Sequence, residues 1–425
     1  MKLELAKGVK DIDPKNQIVR EKVLTILKEV FSRYGFNPLD TPVIERLSLF
    51  ESKGSGGSEI MKEVFKFKDQ GERELGLRFD LTVPFCRYVG MNPNLKMPFK
   101  RYQIGKVFRD GPIKLGRYRE FYQCDVDVVG TKSMVSDAEI LALAREAFEK
   151  LGLDVNIYMN NRKVLDGIME YLNIEEEKRM PVILSVDKLE KIGQTGVEKE
   201  LLDAGLSMDT ADKLFELLTL SGNNEEKISY LKKYLGDNEG LKEIEEILGY
   251  VPSVVFDPTL ARGFDYYTGP VFEVFLRSKE MERSLAAGGR YDKMIGKFLG
   301  REEEYPAMGI SFGLDTICDT LKILNKVSEV TTTVELFVVP IKTAKECFSL
   351  TKNLRSEGIN VDMDLIGRGV SKNLDYADKY KIPFALFVGG QELMERKYKL
   401  KNMETGKEEM LDFGEVIARV KNARC

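Results

Sequence analysis

The chain has no histidine and no tryptophan in 425 residues, and only five cysteines. Without an imidazole, Ser-His and Cys-His nucleophiles and histidine-ligated metals are excluded. The cysteines (Cys86, Cys124, Cys318, Cys347 and Cys425) form no C-x-x-C pair, so no zinc site is expected. Five scattered thiols in a chain this long fit a cytoplasmic protein, not a disulfide framework. No apolar run reaches the ~18 residues that a membrane helix needs. The opening MKLELAKGVKDIDPKNQ lacks the apolar stretch of a secretion signal. A net positive charge is lacking as well. A net charge of −4 with 32% charged residues excludes a globally basic nucleic-acid binder, while leaving room for local basic patches. Chemistry here must run on arginine, carboxylate, tyrosine, threonine, backbone groups and a bound cation.

At roughly 100–200 residues per domain, the length predicts two or three domains with cores of their own. Residues 14 to 34 carry Ile18, Val23, Ile26, Leu27, Val30 and Phe31 at helical spacing, with Gly35 at the stop. NPLDTPVIE reads as an extended strand, because Pro38 and Pro42 disfavour helix before them. ESKGSGGSEI (51 to 60) reads as a flexible lid or connector; no Gly-Lys-Ser/Thr follows, so it is not a P-loop. Strands are expected at 64 to 68 and 75 to 83, and a helix at 137 to 151. From about 162 to 250, charge and helical periodicity predict a helical insertion. Strands resume at 270 to 276 and 284 to 287, followed by a helix at 313 to 325. Residues 326 to 333 read as a linker. Beyond it VELFVVP, NVDMDL, FALFVGG and KYKLKNM alternate with helices near 343 to 357 and 371 to 381. That pattern is an α/β domain of about 90 residues.

The richest stretch is VFRDGPIKLGRYREFYQCDVDVVG, 107 to 130, which reads as two strands flanking a basic loop. Side chains two apart on a strand share a face. Gln123, Asp125 and Asp127 therefore line one face, with Val126 and Val128 on the other. Arg109 closes the first strand, and Arg117 with Arg119 opens the second. Guanidiniums facing carboxylates suit a ligand that carries both phosphate and ammonium. LGLRFDLTVPFCRYV (75 to 89) places Arg78, Asp80 and Thr82 on one strand face. TLARGFDYYTGPVFEVF (259 to 275) adds Arg262, Asp265, Tyr266 and Tyr267, and AAGGRYDKMIG (286 to 296) adds Arg290 and Tyr291 after two glycines. Glycines there let a ligand approach the backbone. Taken singly, each charge reads as half of a structural ion pair and each tyrosine as packing. Recurrence across four segments favours a lined pocket, because unpaired buried polar groups cost about 1–3 kcal/mol each.

These segments resemble the histidyl-tRNA synthetases, members of the class II aminoacyl-tRNA synthetases, over nearly the whole chain. ARGFDYYTG and GGRYD look like the two histidine-specific signatures of that family, FRDGPIKLGRYREFYQCDVD like its motif 2, and YGFNPLDTPVIE like its motif 1. The resemblance implies an α+β fold: an antiparallel sheet of six or seven strands with flanking helices and the insertion at about 162–250. This catalytic domain would span 1–325, followed by an anticodon-binding α/β domain at 331–425 and dimerisation through motif 1. It implies activation of L-histidine with ATP, then transfer to tRNA(His). Arg109 would contact the α-phosphate and the substrate carboxylate, and Arg262 would hold the α-phosphate from the other side. Phe121 would stack on adenine, Arg117 would meet the outer phosphates, and Mg2+ would bridge them without assignable protein ligands. Asp80, Thr82 and Gln123 would receive the ammonium. Asp127 and Tyr267 would bracket the imidazole, walled by Tyr266 and Tyr291.

One departure stands out. Motif 3 of the family ends in an arginine that packs on ATP, whereas GISFGLDTICD has Thr316 in that slot. Arg290 or Arg301 would have to compensate. Thr316 is also what favours a rival reading, a catalytically weakened paralogue acting as a histidine sensor or as a regulatory subunit of histidine biosynthesis. A ligase for an acceptor other than tRNA is a further rival. For tRNA, the expected contacts are Arg368, Lys372, Tyr376, Lys379, Arg396, Lys397, Lys399 and Lys401 in the C-terminal domain. Lys96, Lys100, Arg101 and Lys114 are expected toward the acceptor stem.

Overall fold

A computed structural model describes residues 2–51, 57–113, 118–263, 266–326 and 331–423. It has two compact units, Met1–Lys10 with Val23–Leu324, and Asp11–Lys22 with Asn325–Cys425.

The larger unit is built on eight strands in the spatial order Asn37–Pro38, Phe99–Phe108, Glu120–Val129, Ala307–Gly313, Ala286–Arg290, Pro270–Leu276, Val155–Asn161 and Val255–Phe256. The six inner strands are antiparallel, and each edge carries a two-residue strand paired in parallel. Strand periodicity splits the side chains between two faces. On Ala307–Gly313, Phe312 points to the apolar face, with ring centroids 5.5 Å from Phe31 and 5.6 Å from Phe148. Its neighbour Ser311 points to the opposite, polar face. The register sets Arg101 against Asp127, Gln103 against Asp125, Ser311 against Asp125, and Gly309 against Asp127. The strand expected at 284 to 287 instead spans Ala286–Arg290 and takes in Gly288 and Gly289. A Cβ on Gly288 would stand 2.0 Å from the Gly309 carbonyl oxygen, so only glycine lets these strands meet.

Three local expectations are corrected. NPLDTPVIE is not one strand: Asn37–Pro38 joins the large sheet, and Ile44–Arg46 joins a three-stranded sheet with Glu74–Leu77 and Lys66–Lys68. The 75 to 83 strand ends at Leu77, and a helix Thr82–Met91 begins where the strand was expected to finish. Asp80 accepts from the Val83 N–H at 2.9 Å, satisfying a donor that a helix N-terminus leaves open. Of the expected 51 to 60 loop, residues 52 to 56 lie outside the described residues, and Gly57–Glu63 is helical.

The insertion is helical from Arg162–Tyr171 to Glu239–Tyr250. Asn223 and Glu226 form a capping box, and Ser207 and Asn238 cap two further helices. The smaller unit holds a five-stranded sheet, ordered Val361–Met363, Leu336–Pro340, Phe384–Val388, Tyr398–Asn402 and Glu408–Leu411. Its first three strands are parallel. Leu336, Val338, Leu386 and Val388 pack on one side of this sheet, and Phe337, Val339, Ala385 and Phe387 on the other. The strand Glu408–Leu411 and the helix Phe413–Asn422 were not anticipated. Among the described residues, no helix is long and apolar enough to cross a membrane.

Candidate active site

The polar face of the large sheet opens into a cavity of about 280 Å³. Asp80, Thr82, Arg109, Phe121, Gln123, Asp127, Arg262, Tyr266, Tyr267 and Tyr291, all expected from the sequence, line it together with Asp125 and Ser311. Arg117, Lys114 and Asp265 lie outside the described residues. Thr316, in the first turn of the helix Leu314–Ile323, is not part of the lining.

Three buried carboxylates organise the cavity. Asp127 is 2% exposed; its Oδ1 accepts from the Tyr291 hydroxyl, and its Oδ2 lies 2.8 Å from Arg101 Nη2. Burial raises the Asp127 pKa, and Arg101 and Tyr291 oppose that rise. A Cβ on Gly309 would sit 2.1 Å from Asp127 Oδ1, so the facing strand must present a glycine there. Asp125 is also 2% exposed, and burial pushes its carboxyl up to about 7 against the field of Arg101. Asp80, at the start of the helix Thr82–Met91, is raised by burial and held back by the Val83 N–H and Arg109.

The two expected guanidiniums are fixed by different means. Arg109 lies just past the strand Phe99–Phe108, its guanidinium 4.1 Å over the Phe79 ring and 5.1 Å from that of Phe121. Its Nε donates to the Phe79 carbonyl at 3.3 Å. Arg262 is ion-paired to Glu273 on the strand Pro270–Leu276. The tyrosines form a corner, with Tyr266 4.7 Å from Tyr267 and 6.4 Å from Tyr291 between ring centroids.

Several cations read as functional are structural. Arg101, placed by sequence toward an acceptor stem, is fully buried under Asp127 and donates to the Leu81 carbonyl at 3.0 Å. Lys100 pairs with Glu139 at 2.6 Å. Arg78 ties the chain down by donating to the Lys106 and Thr41 carbonyls at 2.8 and 2.7 Å. Arg119 pairs with Asp110 at 2.9 Å. Arg290 is buried against Asp137, with its Nη1 3.1 Å from the Thr131 carbonyl oxygen. Arg301 is exposed beside Glu303. Neither of the last two lines the cavity. Beside Thr316, Asp315 accepts from the Tyr122 N–H at 3.1 Å and lies 3.5 Å from Lys10. Lys10 also sits 3.6 Å over the Tyr118 ring.

Sequence reading missed Ser311 in the lining and, behind it, Arg101. The available signal was its register: with Gln103 two residues on, it faces the polar row of the next strand. Among the described residues, no group of three or more acidic or cysteine side chains converges to hold a metal. In the smaller unit, Arg368 stacks 4.6 Å from Tyr376 and lies 3.5 Å from Asp364, while Lys399 and Lys401 both pair with Glu408.

Comparison with known proteins agrees with this geometry. The family model described as histidyl-tRNA synthetase matches residues 8–317, and one described as anticodon binding domain matches residues 335–423. Histidine–tRNA ligase 1 of Bacillus cereus is 43% identical over 425 aligned residues, covering 96% of this chain and 97% of that protein. Histidine–tRNA ligase 2 of Shouchella clausii is 40% identical, with coverage of 96% and 97%. The crystal structure of histidyl-tRNA synthetase from Nostoc sp. PCC 7120 superposes with a TM-score of 0.88 at 30% identity, covering all of both chains. The chain belongs to the histidyl-tRNA synthetase family.

Proposed function

We propose that the protein activates L-histidine with ATP to histidyl-adenylate and pyrophosphate, then transfers the histidyl group to the 3′ end of tRNA(His). The observation that carries this reading is one cavity lined by two guanidiniums, buried carboxylates and three tyrosines. The substrate carboxylate forms a bond to the α-phosphorus as the bond to pyrophosphate breaks. Negative charge builds on the equatorial oxygens, and Arg109 and Arg262 stabilise it without accepting a proton. A chain without histidine can therefore perform this step.

Asp80, Thr82 and Gln123 receive the substrate ammonium in this reading. Asp127 and Tyr267 meet the two ring nitrogens, with Tyr266 and Tyr291 as walls. An analogue lacking one nitrogen leaves a buried polar group unpaired, which supports rejection by a factor of about 10⁴. Phe121 stacks on adenine and Arg117 meets the outer phosphates. Mg2+ enters with those phosphates, and no protein site is assigned to it. The C-terminal unit reads the tRNA anticodon, and two chains pair through the YGFNPLDTPVIE segment in the cytoplasm. Thr316 alone favours the regulatory paralogue. Arg109 and Arg262 in the cavity, with an anticodon-binding match at 335–423, speak for the ligase.

The test is aminoacylation. Full-length protein, ATP, Mg2+ and a tRNA(His) transcript are incubated with each labelled amino acid. Label from histidine alone in acid-precipitable tRNA is expected; label from another amino acid, or from none, contradicts the proposal.

A further inference from the structure

We infer that Asp125 is a further substrate-binding residue, whose carboxylate receives the ammonium of the amino-acid substrate beside Gln123. The inference rests on reading the cavity as a site for an amino acid. Two buried acceptors of the lining, Gln123 Oε1 and Asp125 Oδ1, have no hydrogen-bond partner. The reason is local. Ser311 lies opposite Asp125 and accepts from Gln123 Nε2 at 2.8 Å. Its hydroxyl is bonded in turn to Asp125. The donor end of Gln123 is thereby held against the sheet, and its oxygen is left bare beside that of Asp125. Bare buried acceptors are unfavourable unless a donor arrives. An ammonium brings three donors at one point.

Charge accounting points the same way. On the neighbouring strand Phe99–Phe108, Arg101 and uncharged Gln103 face this row. Arg101 already forms an ion pair with Asp127 while also lying in the field of Asp125. Asp80, from the segment before Thr82–Met91, adds another negative field, and Arg78 a positive one. Ala307–Gly313 contributes Gly309, Ile310, Ser311 and Gly313 to the lining, none of them charged. Arg262 is engaged by Glu273. One guanidinium thus serves two adjacent carboxylates, and the substrate ammonium supplies the missing cation. Burial raises the pKa of Asp125 to about 7, as expected of a buried carboxylate without a cation of its own.

The test compares L-histidine with 3-(imidazol-4-yl)propionate, which keeps the ring and the carboxylate but lacks the ammonium. Binding of each to the full-length protein is measured by calorimetry without ATP, for wild type, Asp125→Asn and Asp125→Ser. The variants are expected to bind L-histidine at least ten-fold more weakly, with the analogue changed less than two-fold. Serine serves as the second variant should asparagine prevent folding. Equal losses for both ligands would make Asp125 a structural residue, and no loss for either would leave it without a role; each overturns the inference. A wild-type protein that binds neither ligand would remove the amino-acid site itself. Loss of exchange with ATP while histidine binding persists would count only against the proposed reaction.

Discussion

Arg101 and Asp127 face each other across neighbouring strands with Arg101 Nη2 2.8 Å from Asp127 Oδ2, both all but sealed from solvent. The guanidinium lies 4.3 Å over the Phe85 ring, so its position is set by packing as well as by charge. The pair keeps a carboxylate at the back of the cavity that burial alone would tend to neutralise. Arg101 is in this sense a positioning residue for Asp127.

Removing one partner of such a pair strands the other, at a cost of about 3–5 kcal/mol. Arg101→Met is therefore expected to lower Tm and to raise the histidine KM at least ten-fold. Adding Asp127→Asn should restore Tm without restoring histidine recognition. Thermal melts and exchange kinetics measure the two effects. Recovery of both together would show that Asp127 takes no part in recognition.

Arg262 differs, because it lines the cavity while Glu273 holds it from behind. Its value lies in charge that develops only during the reaction. Arg262→Gln is expected to lower kcat for activation by about 10²–10³, with much smaller changes in the KM for histidine and ATP. An effect confined to KM would make Arg262 a ground-state binding residue instead.

Thr316 gives a gain-of-function prediction. It occupies the first turn of Leu314–Ile323, half-buried, beside the Asp315 that caps Tyr122. Thr316→Arg restores a guanidinium where the family pattern has one, and is expected to lower the ATP KM several-fold while leaving the histidine KM unchanged. An unchanged ATP KM would show that this chain secures the nucleotide by other residues.

The polar row Gln123, Asp125 and Asp127 was legible because strand periodicity is strict, and one face of an apolar strand has no other reason to be acidic. Asp80 and Thr82 were assigned to the right cavity for a partly wrong reason: a helix start, not a strand, presents them. Local pattern is ambiguous there, since LTVPF contains residues found in either state. Arg101, Arg78 and Arg290 were misread because a sequence shows charge without burial. Their partners, Asp127, the Thr41 and Lys106 carbonyls, and Asp137, lie far away along the chain. The strand Glu408–Leu411 escaped notice because it opens on charge, Glu408 pairing across strands with Lys399 and Lys401, rather than on an apolar face.

Asp125 also predicts a pH effect on stability. Burial raises its pKa to about 7, so the folded protein holds this proton more tightly than the unfolded chain does. Its contribution is full below the unfolded value of about 4 and is lost as pH rises through 7. Asp125→Asn without ligand should therefore melt higher than wild type at pH 8. The gap should shrink toward pH 5. L-histidine should narrow it at pH 8 by stabilising the wild type more than the weaker-binding variant. A gap independent of pH would contradict the assignment.

The most direct measurement is amino-acid-dependent ATP–pyrophosphate exchange by the purified protein with Mg2+, each of the twenty amino acids supplied separately. Exchange with histidine alone is the predicted result, and it would show that Thr316 is tolerated. No exchange with histidine, in a protein that still binds it by calorimetry, would contradict the proposed activation and favour the sensor or regulatory role.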